Sequence, residues 1–222
     1  MENSGDSIAA NVKRILETLP TGVILVAAAK ARTPEEVEEA LRAGITYVGH
    51  NYVQEAERMI PAIESKVRWH MIGHLQKNKV KKAVRLFDMI ETVDSWPLAE
   101  LIDRRCAAIG KTMPVLVEVN IGREASKTGV LPKEVDGLVR RLSDLQHIHV
   151  QGLMTMGPRF GNPEDARPYF RATKEAFDRL TRAKLPNVEM RYLSMGMSNS
   201  YQVALKEGAN LIRLGTVLFE ER

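Results

Sequence analysis

The sequence predicts an α/β fold, a single TIM-type (β/α)8 barrel with an extra N-terminal helix. Three observations predict it. Short apolar runs alternate with helical segments until eight strand candidates have accumulated, which implies βαβ units and parallel pairing. The 222 residues suit one barrel, which typically takes ~250 residues and has a lower limit near 200. The two longest irregular stretches, 120–131 and 157–163, follow strand ends, where a barrel carries its functional loops. No internal repeat and no Gly/Ser-rich linker divides the chain, so residues 1–222 read as one domain.

The elements follow in order. Ile8, Val12, Ile15, Leu16 and Leu19 fall at helical spacing, and Pro20 and Gly22 end that first helix. Val23–Ala29 is the first strand candidate. Residues 34–43 form an acidic helix, with Thr33 as N-cap, Glu36 three residues on and Gly44 closing it. The next strand is 45–49, with a helix beginning near Tyr52. Strand and helix then pair as 69–73 with 75–87, 89–93 with 97–109, and 114–121 with 132–145. Strand 149–156 precedes helix 164–182, and strand 189–195 precedes helix 199–207. The apolar run 210–219 is the last strand candidate.

Composition narrows the function classes. Hydrophobic residues make up 44% of the chain, an ordinary globular value that supplies a core. The N-terminus has no apolar stretch of signal-peptide kind, and no apolar run reaches the ~18 residues of a membrane span. With Cys106 as its one cysteine, the chain has no intrachain disulfide, and a cytoplasmic protein is expected. The net charge of +4 and pI near 9.2 allow nucleic acid but suit an anionic small ligand equally well.

Four places carry candidate chemistry. Lys30 ends the run VILVAAAK, where three alanines leave space around an amine that desolvation would favour as neutral. The alternative is a lysine that snorkels to solvent. In IRLGT, Arg213 and Gly215 share one strand face, Gly215 admits a ligand close to the backbone, and Thr216 adds a hydroxyl. A barrel commonly holds phosphate there, although a structural ion pair and a bend explain the same residues. In LSMGMSNS, Ser194 is a candidate phosphate partner and Ser198 a candidate helix cap. Asn51 either bonds a ring substituent or caps the next helix. His70 and His74 have the spacing of a metal pair but not its helical setting, and the basic run 76–82 reads as a solvated helix face.

Taken together, VAAAKAR around Lys30, GHNYVQEA (49–56), WHMIGHLQKNK (69–79), VNIGREASKTG (119–129), GLMTMG (152–157), LSMGMSNSYQVAL (193–205) and IRLGTVLF (212–219) resemble the pyridoxal-phosphate homeostasis proteins. The resemblance runs from about Val23 to Phe219. It implies the barrel of the alanine racemase fold type, with pyridoxal 5'-phosphate (PLP) as cofactor. It further implies that Lys30 forms the Schiff base, Arg213 faces the pyridine nitrogen, Ser194, Gly215 and Thr216 hold the phosphate, and Asn51 lies near the ring. A guanidinium stays protonated, so it would leave the ring nitrogen unprotonated and the ring a weaker electron sink. Three positions depart from the family's usual pattern: Ala29 stands for Ser, His50 for Glu, and the end LFEER for IFG.

The function expected is therefore a PLP-binding protein that buffers or delivers the cofactor without turnover of its own, with PLP-dependent apoenzymes as candidate recipients. A PLP-dependent racemase is the second reading. By the resemblance, racemases take their second acid/base from an extra β domain, whereas this sequence ends just after the eighth strand, and no spacing selects Tyr52 or Tyr201 instead. A nucleic-acid or acidic-protein binding module is the third. It leaves Lys30, Arg213 and Gly215 unexplained.

Overall fold

The structure is a computed structural model that describes residues 7–122, 128–158 and 161–219. Residues 123–127 of the 120–131 stretch, 159–160 of the 157–163 stretch and 220–222 of the LFEER end lie outside the described residues. The strands are β1 (Ile24–Ala28), β2 (Tyr47–His50), β3 (Arg68–Met71), β4 (Met89–Val93), β5 (Met113–Val119), β6 (Ile148–Thr155), β7 (Val188–Ser194) and β8 (Leu211–Leu214). They run parallel in sequence order and close into a barrel through β8 and β1. The helices are α1 (Ile8–Thr18), α2 (Pro34–Arg42), α3 (Val53–Met59), α4 (Val80–Leu86), α5 (Trp96–Ala107), α6 (Val135–Leu142), α7 (Arg167–Ala183), α8 (Tyr201–Lys206) and α9 (Thr216–Phe219). No described helix is long and apolar enough to cross a membrane.

Local chemistry explains the element ends. Thr33 and Glu36 form the expected capping box, each side chain accepting from the other residue's backbone N–H. The last segment differs from the sequence expectation of a strand over 210–219. It is a four-residue strand, Leu211–Leu214, followed by α9. Gly215 ends the ladder, and its carbonyl accepts from the N–H groups of Leu218 and Phe219 at 2.9 and 3.0 Å. Periodicity alone does not separate a short apolar helix from a buried strand. The turn is pinned from several sides. Arg32 donates to the Phe219 carbonyl at 3.0 Å and lies over its ring. Asn11 of α1 reaches the Leu218 carbonyl at 3.4 Å.

Strand alternation sends one set of side chains out to the helices and the other into the barrel. The outward set builds the large core with residues such as Val37, Leu98, Phe87 and Phe170. Inside, Val26, Ile72 and Leu211 form one apolar cluster, and Met89, Leu116 and Met154 form another, with Tyr192 packed against both. Cys106 is buried in the outer layer, and burial pushes its thiol up to about 11, so it is an inert packing residue.

Gly152 lets β6 fit its neighbour. The β6–β7 register shifts between Val150 and Gly152, and Gly152 has φ +147°. A Cβ there would sit 1.8 Å from the Tyr192 carbonyl oxygen. Since the obstacle is backbone, Gly152→Ala is expected to destabilise the fold by about 3 kcal/mol, the upper part of the overpacking range, read as a lower urea midpoint.

Candidate functional site

Above the apolar clusters the barrel interior turns polar. Stepping two residues along each strand from Leu211, Met89, Leu116 and Tyr192 reaches Arg213, Glu91, Glu118 and Ser194, and His70 joins them from β3. All five are buried. Glu91 accepts from the Ser194 hydroxyl at 2.6 Å and meets His70 Nδ1 at 2.7 Å. Arg213 donates to the Ser194 hydroxyl and, at 3.0 Å, to the Thr155 carbonyl. Its guanidinium lies 3.7 Å from Glu91. Burial alone would raise the Glu91 carboxyl, but the His70 hydrogen bond and charge, Arg213 and Ser194 outweigh it and hold the group below its ordinary value. Glu91 is therefore an anion locked to a cation in the middle of the barrel.

Glu118 behaves differently. Burial pushes its carboxyl up to about 7, opposed by the Thr128 hydrogen bond and by Arg213. One oxygen accepts from Thr128 at 2.8 Å, and the other has no partner among the described residues. An acid raised on folding costs nothing below its unfolded value, because both states are protonated there. Stability then falls as pH climbs from about 4.5 to about 7. Relative to Glu118→Gln, the protein is expected to lose up to about 3 kcal/mol across that window, checked by urea unfolding at several pH values.

The mouth of the barrel lies above this belt. Register places Val26 beside Arg213 and Ala28 beside Gly49, so Lys30 and Asn51 emerge at the same level on neighbouring strands. Lys30 is exposed and makes no hydrogen bond or ion pair among the described residues, although its charge is felt at Glu55. Directly after it, Ala31 takes φ 56°, a left-handed turn that sends the chain off toward α2. At Gly215 the space a Cβ would fill lies against Ala28, 3.5 Å from its carbonyl and 3.6 Å from its side chain. The Ser198 hydroxyl accepts from the Gly215 and Val217 N–H groups at 3.2 and 3.4 Å. Thr216 stands exposed between them.

Lys30, Asn51, Gly215 and Thr216 thus meet at one rim, with Arg213 one layer below. Ser194 does not join the rim. It is fully buried, and its hydroxyl is committed to Glu91 and Arg213. Ser198, read from the sequence as a helix cap, is the serine beside Gly215 and Thr216, and α8 has no side-chain cap bond. His50, which stands where the family usually has Glu, stacks on Trp69 with ring centroids 5.7 Å apart. Neither of its nitrogens makes a hydrogen bond among the described residues, Nδ1 lying 3.9 Å from the Glu55 carboxylate, and burial pushes the ring down to about 4. No cluster of metal-ligating side chains occurs among the described residues.

The sequence reading missed the roles of Glu91 and Glu118. The signal was present: each is a lone carboxylate inside an apolar strand, MIETV and PVLVEV, and buried charge is rare unless paired.

Residues 4–222 match the family described as alanine racemase, N-terminal domain. The pyridoxal phosphate homeostasis protein of Aquifex aeolicus (strain VF5) is 41% identical over 199 residues, 89% of this chain and 86% of that protein. The chain belongs to the pyridoxal phosphate homeostasis protein family. The homeostasis protein of Haemophilus influenzae is 34% identical over 90% of this chain and 85% of its own. Two solved structures of PipY from Synechococcus elongatus PCC7942 superpose closely. The form without PLP gives a TM-score of 0.90 at 34% identity, and the form with PLP bound gives 0.89 at 33%. Each comparison covers 96% of this chain and 99% of PipY. An alanine racemase of Clostridium difficile 630 shares the barrel, with a TM-score of 0.80 at 15% identity over 98% of this chain and 56% of its own. The homeostasis-protein family and the racemase thus share a barrel, and at that identity the likeness is one of fold.

Proposed function

We propose that this chain binds PLP as a Schiff base on Lys30 and takes part in PLP homeostasis, holding the cofactor and passing it to PLP-dependent apoenzymes without turnover of its own. The observation that carries the reading is the meeting of Lys30, Gly215, Thr216 and Ser198 over Arg213 at the β1–β8 seam. These residues fit the group. PLP supplies an aldehyde that condenses with an amine, a phosphate and a pyridine nitrogen.

Each residue answers one of those features. Lys30 presents an unpaired amine at the strand end. The hydroxyls of Ser198 and Thr216 form a cup for the phosphate, the Ser198 hydroxyl being held in place by the N–H groups of Gly215 and Val217, with Ser198 taking the place first expected of Ser194. The Cβ missing at Gly215 leaves room beside Ala28. Arg213 keeps its proton and presents it to the ring nitrogen. Asn51, level with Lys30, reaches the ring edge. A ring nitrogen left unprotonated by that cation favours storage over carbanion chemistry.

The test is near-visible absorbance of the chain mixed with PLP, before and after borohydride, with the trapped lysine mapped by mass spectrometry. A reducible band that maps to Lys30 is expected. No band, or label scattered over surface lysines, would overturn the reading. Arg213→Ala is expected to shift the spectrum and weaken PLP binding, and an unchanged spectrum and affinity would remove Arg213 from the ring nitrogen.

A further inference from the structure

Of the carboxyl groups in the buried polar belt, Glu91 is met by Arg213 and His70, and Glu118 has no cation in contact. Glu118 is 2% exposed, so water does not solvate it. The chain after β5 folds back and fixes it. Thr128 donates to one carboxyl oxygen, and the Val130 N–H donates to the Glu118 carbonyl at 2.8 Å. The Asn120 N–H donates to the Val130 carbonyl at 2.9 Å, and Val119 and Val130 form a short parallel bridge. Gly129, with φ +109°, permits this return, since a Cβ there would sit 2.7 Å from the Asn120 nitrogen. The second carboxyl oxygen is buried without a hydrogen-bond partner among the described residues. A carboxyl group held this way reaches neither water nor a counter-ion, so the charges around it decide whether it keeps its proton.

Those charges come from three elements. Arg213 acts on it from β8, and Asp94 from the end of β4. Asp94 lies 3.7 Å from His74, which is charged only when protonated. On β6 the residue in register is the uncharged Met154. Arg213 is already matched by Glu91, which His70 also touches. An ionised Glu118 would leave this belt with an excess negative charge directly under the mouth, and Asp94 would add to it. A neutral Glu118 leaves Arg213 and Glu91 in balance.

We infer that Glu118 is a positioning residue of the mouth that acts through Arg213: an anion seated over Arg213 draws a proton from solvent onto the Glu118 carboxylate, and ionisation of Glu118 loosens the anion. The sign follows from like-charge repulsion. A new negative charge nearby favours the neutral acid, and by linkage the neutral acid favours the anion. Burial brings the group to about 7, so both of its forms are populated near neutrality. The inference deepens the PLP reading of the mouth, on which it rests for the identity of the anion. Sulfate serves as a second probe, so that the two readings fail separately. Its charge is constant across the window, whereas a phosphate monoester titrates at about pH 6.

The experiment is isothermal titration calorimetry of the chain with sulfate and with PLP, in buffers of different ionisation enthalpy, which counts protons taken up per anion bound. With sulfate at about pH 7.5, uptake of about half a proton is expected in the wild type and none in Glu118→Gln. Sulfate affinity is expected to fall about fivefold from about pH 6 to about pH 8 in the wild type, and by less than about twofold in Glu118→Gln. With PLP, whose own groups titrate in both proteins, the difference between the two is read. Glutamine keeps an acceptor for Thr128, so the fold is retained. Thr128→Val removes a bond that favours the ionised form and is expected to move the midpoint of the profile to higher pH, which a purely structural role would not do. His74→Gln is expected to keep the proton uptake.

Proton uptake that persists in Glu118→Gln, or that vanishes in His74→Gln, overturns the inference. So does a pH profile of sulfate affinity that is the same in the wild type and Glu118→Gln, or a mouth that binds neither anion. A reducible band on Lys30 without Glu118-dependent uptake leaves the PLP reading standing and overturns this one alone. Glu118-dependent uptake with sulfate, in a chain that forms no reducible band with PLP, supports the role of Glu118 and sinks the PLP reading.

Discussion

Lys30→Ala is expected to abolish the borohydride-reducible absorbance of PLP-treated protein while leaving weaker, reversible PLP binding. The residual affinity is expected from the proposed phosphate cup and Arg213, which do not depend on Lys30. A drop of about two orders of magnitude, or about 2.8 kcal/mol at 1.4 kcal/mol per tenfold, is the size expected for one lost linkage among several contacts. Fluorescence titration of the variant against wild type measures it. Wild-type affinity in the variant would show that Lys30 makes no bond to the cofactor, and a reducible band that persists would move the Schiff base to another lysine. The fold is expected to be indifferent, since Lys30 is exposed and unpaired among the described residues.

Glu91→Gln carries the largest expected cost in stability. The carboxylate is fully buried, and Ser194, His70 and Arg213 all converge on it. Removing its charge leaves Arg213 buried without a counter-ion, a loss of about 3 kcal/mol or more. Urea unfolding at neutral pH reads it directly. Replacing both partners, Glu91→Met with Arg213→Leu, is expected to recover part of that stability, because no guanidinium is then stranded while His70 and Ser194 still lose their acceptor. The double variant should still bind PLP poorly. A Glu91→Gln protein as stable as wild type would show that the pair contributes no net attraction. The pH dependence follows from the lowered carboxyl. Its stabilisation is present in full above the ordinary carboxylate range and is lost as pH falls through the folded value.

Much of the barrel was legible in the sequence. Period-2 apolar runs and capped helices are local signals, and Thr33 with Glu36 formed the box their spacing promised. The last segment misled because TVLF reads equally as strand or helix, and only the Gly215 turn decides it. The rim residues Lys30, Gly215 and Thr216 were visible because small residues and strand ends mark a mouth. The two serines sit in different settings for a reason the sequence does not contain. Ser194 lies on the inward face of β7, level with Glu91 and Arg213 across the barrel, while Ser198 lies four residues on, over the Gly215 turn. That difference depends on barrel register, which is a long-range property.

The guanidinium of Arg213 is gripped on several sides by the protein itself. Its rotamer freedom is therefore surrendered when the chain folds, and an arriving cofactor has little left to order. If PLP settles over Arg213 as proposed, loading is expected to leave the barrel interior around that guanidinium unchanged.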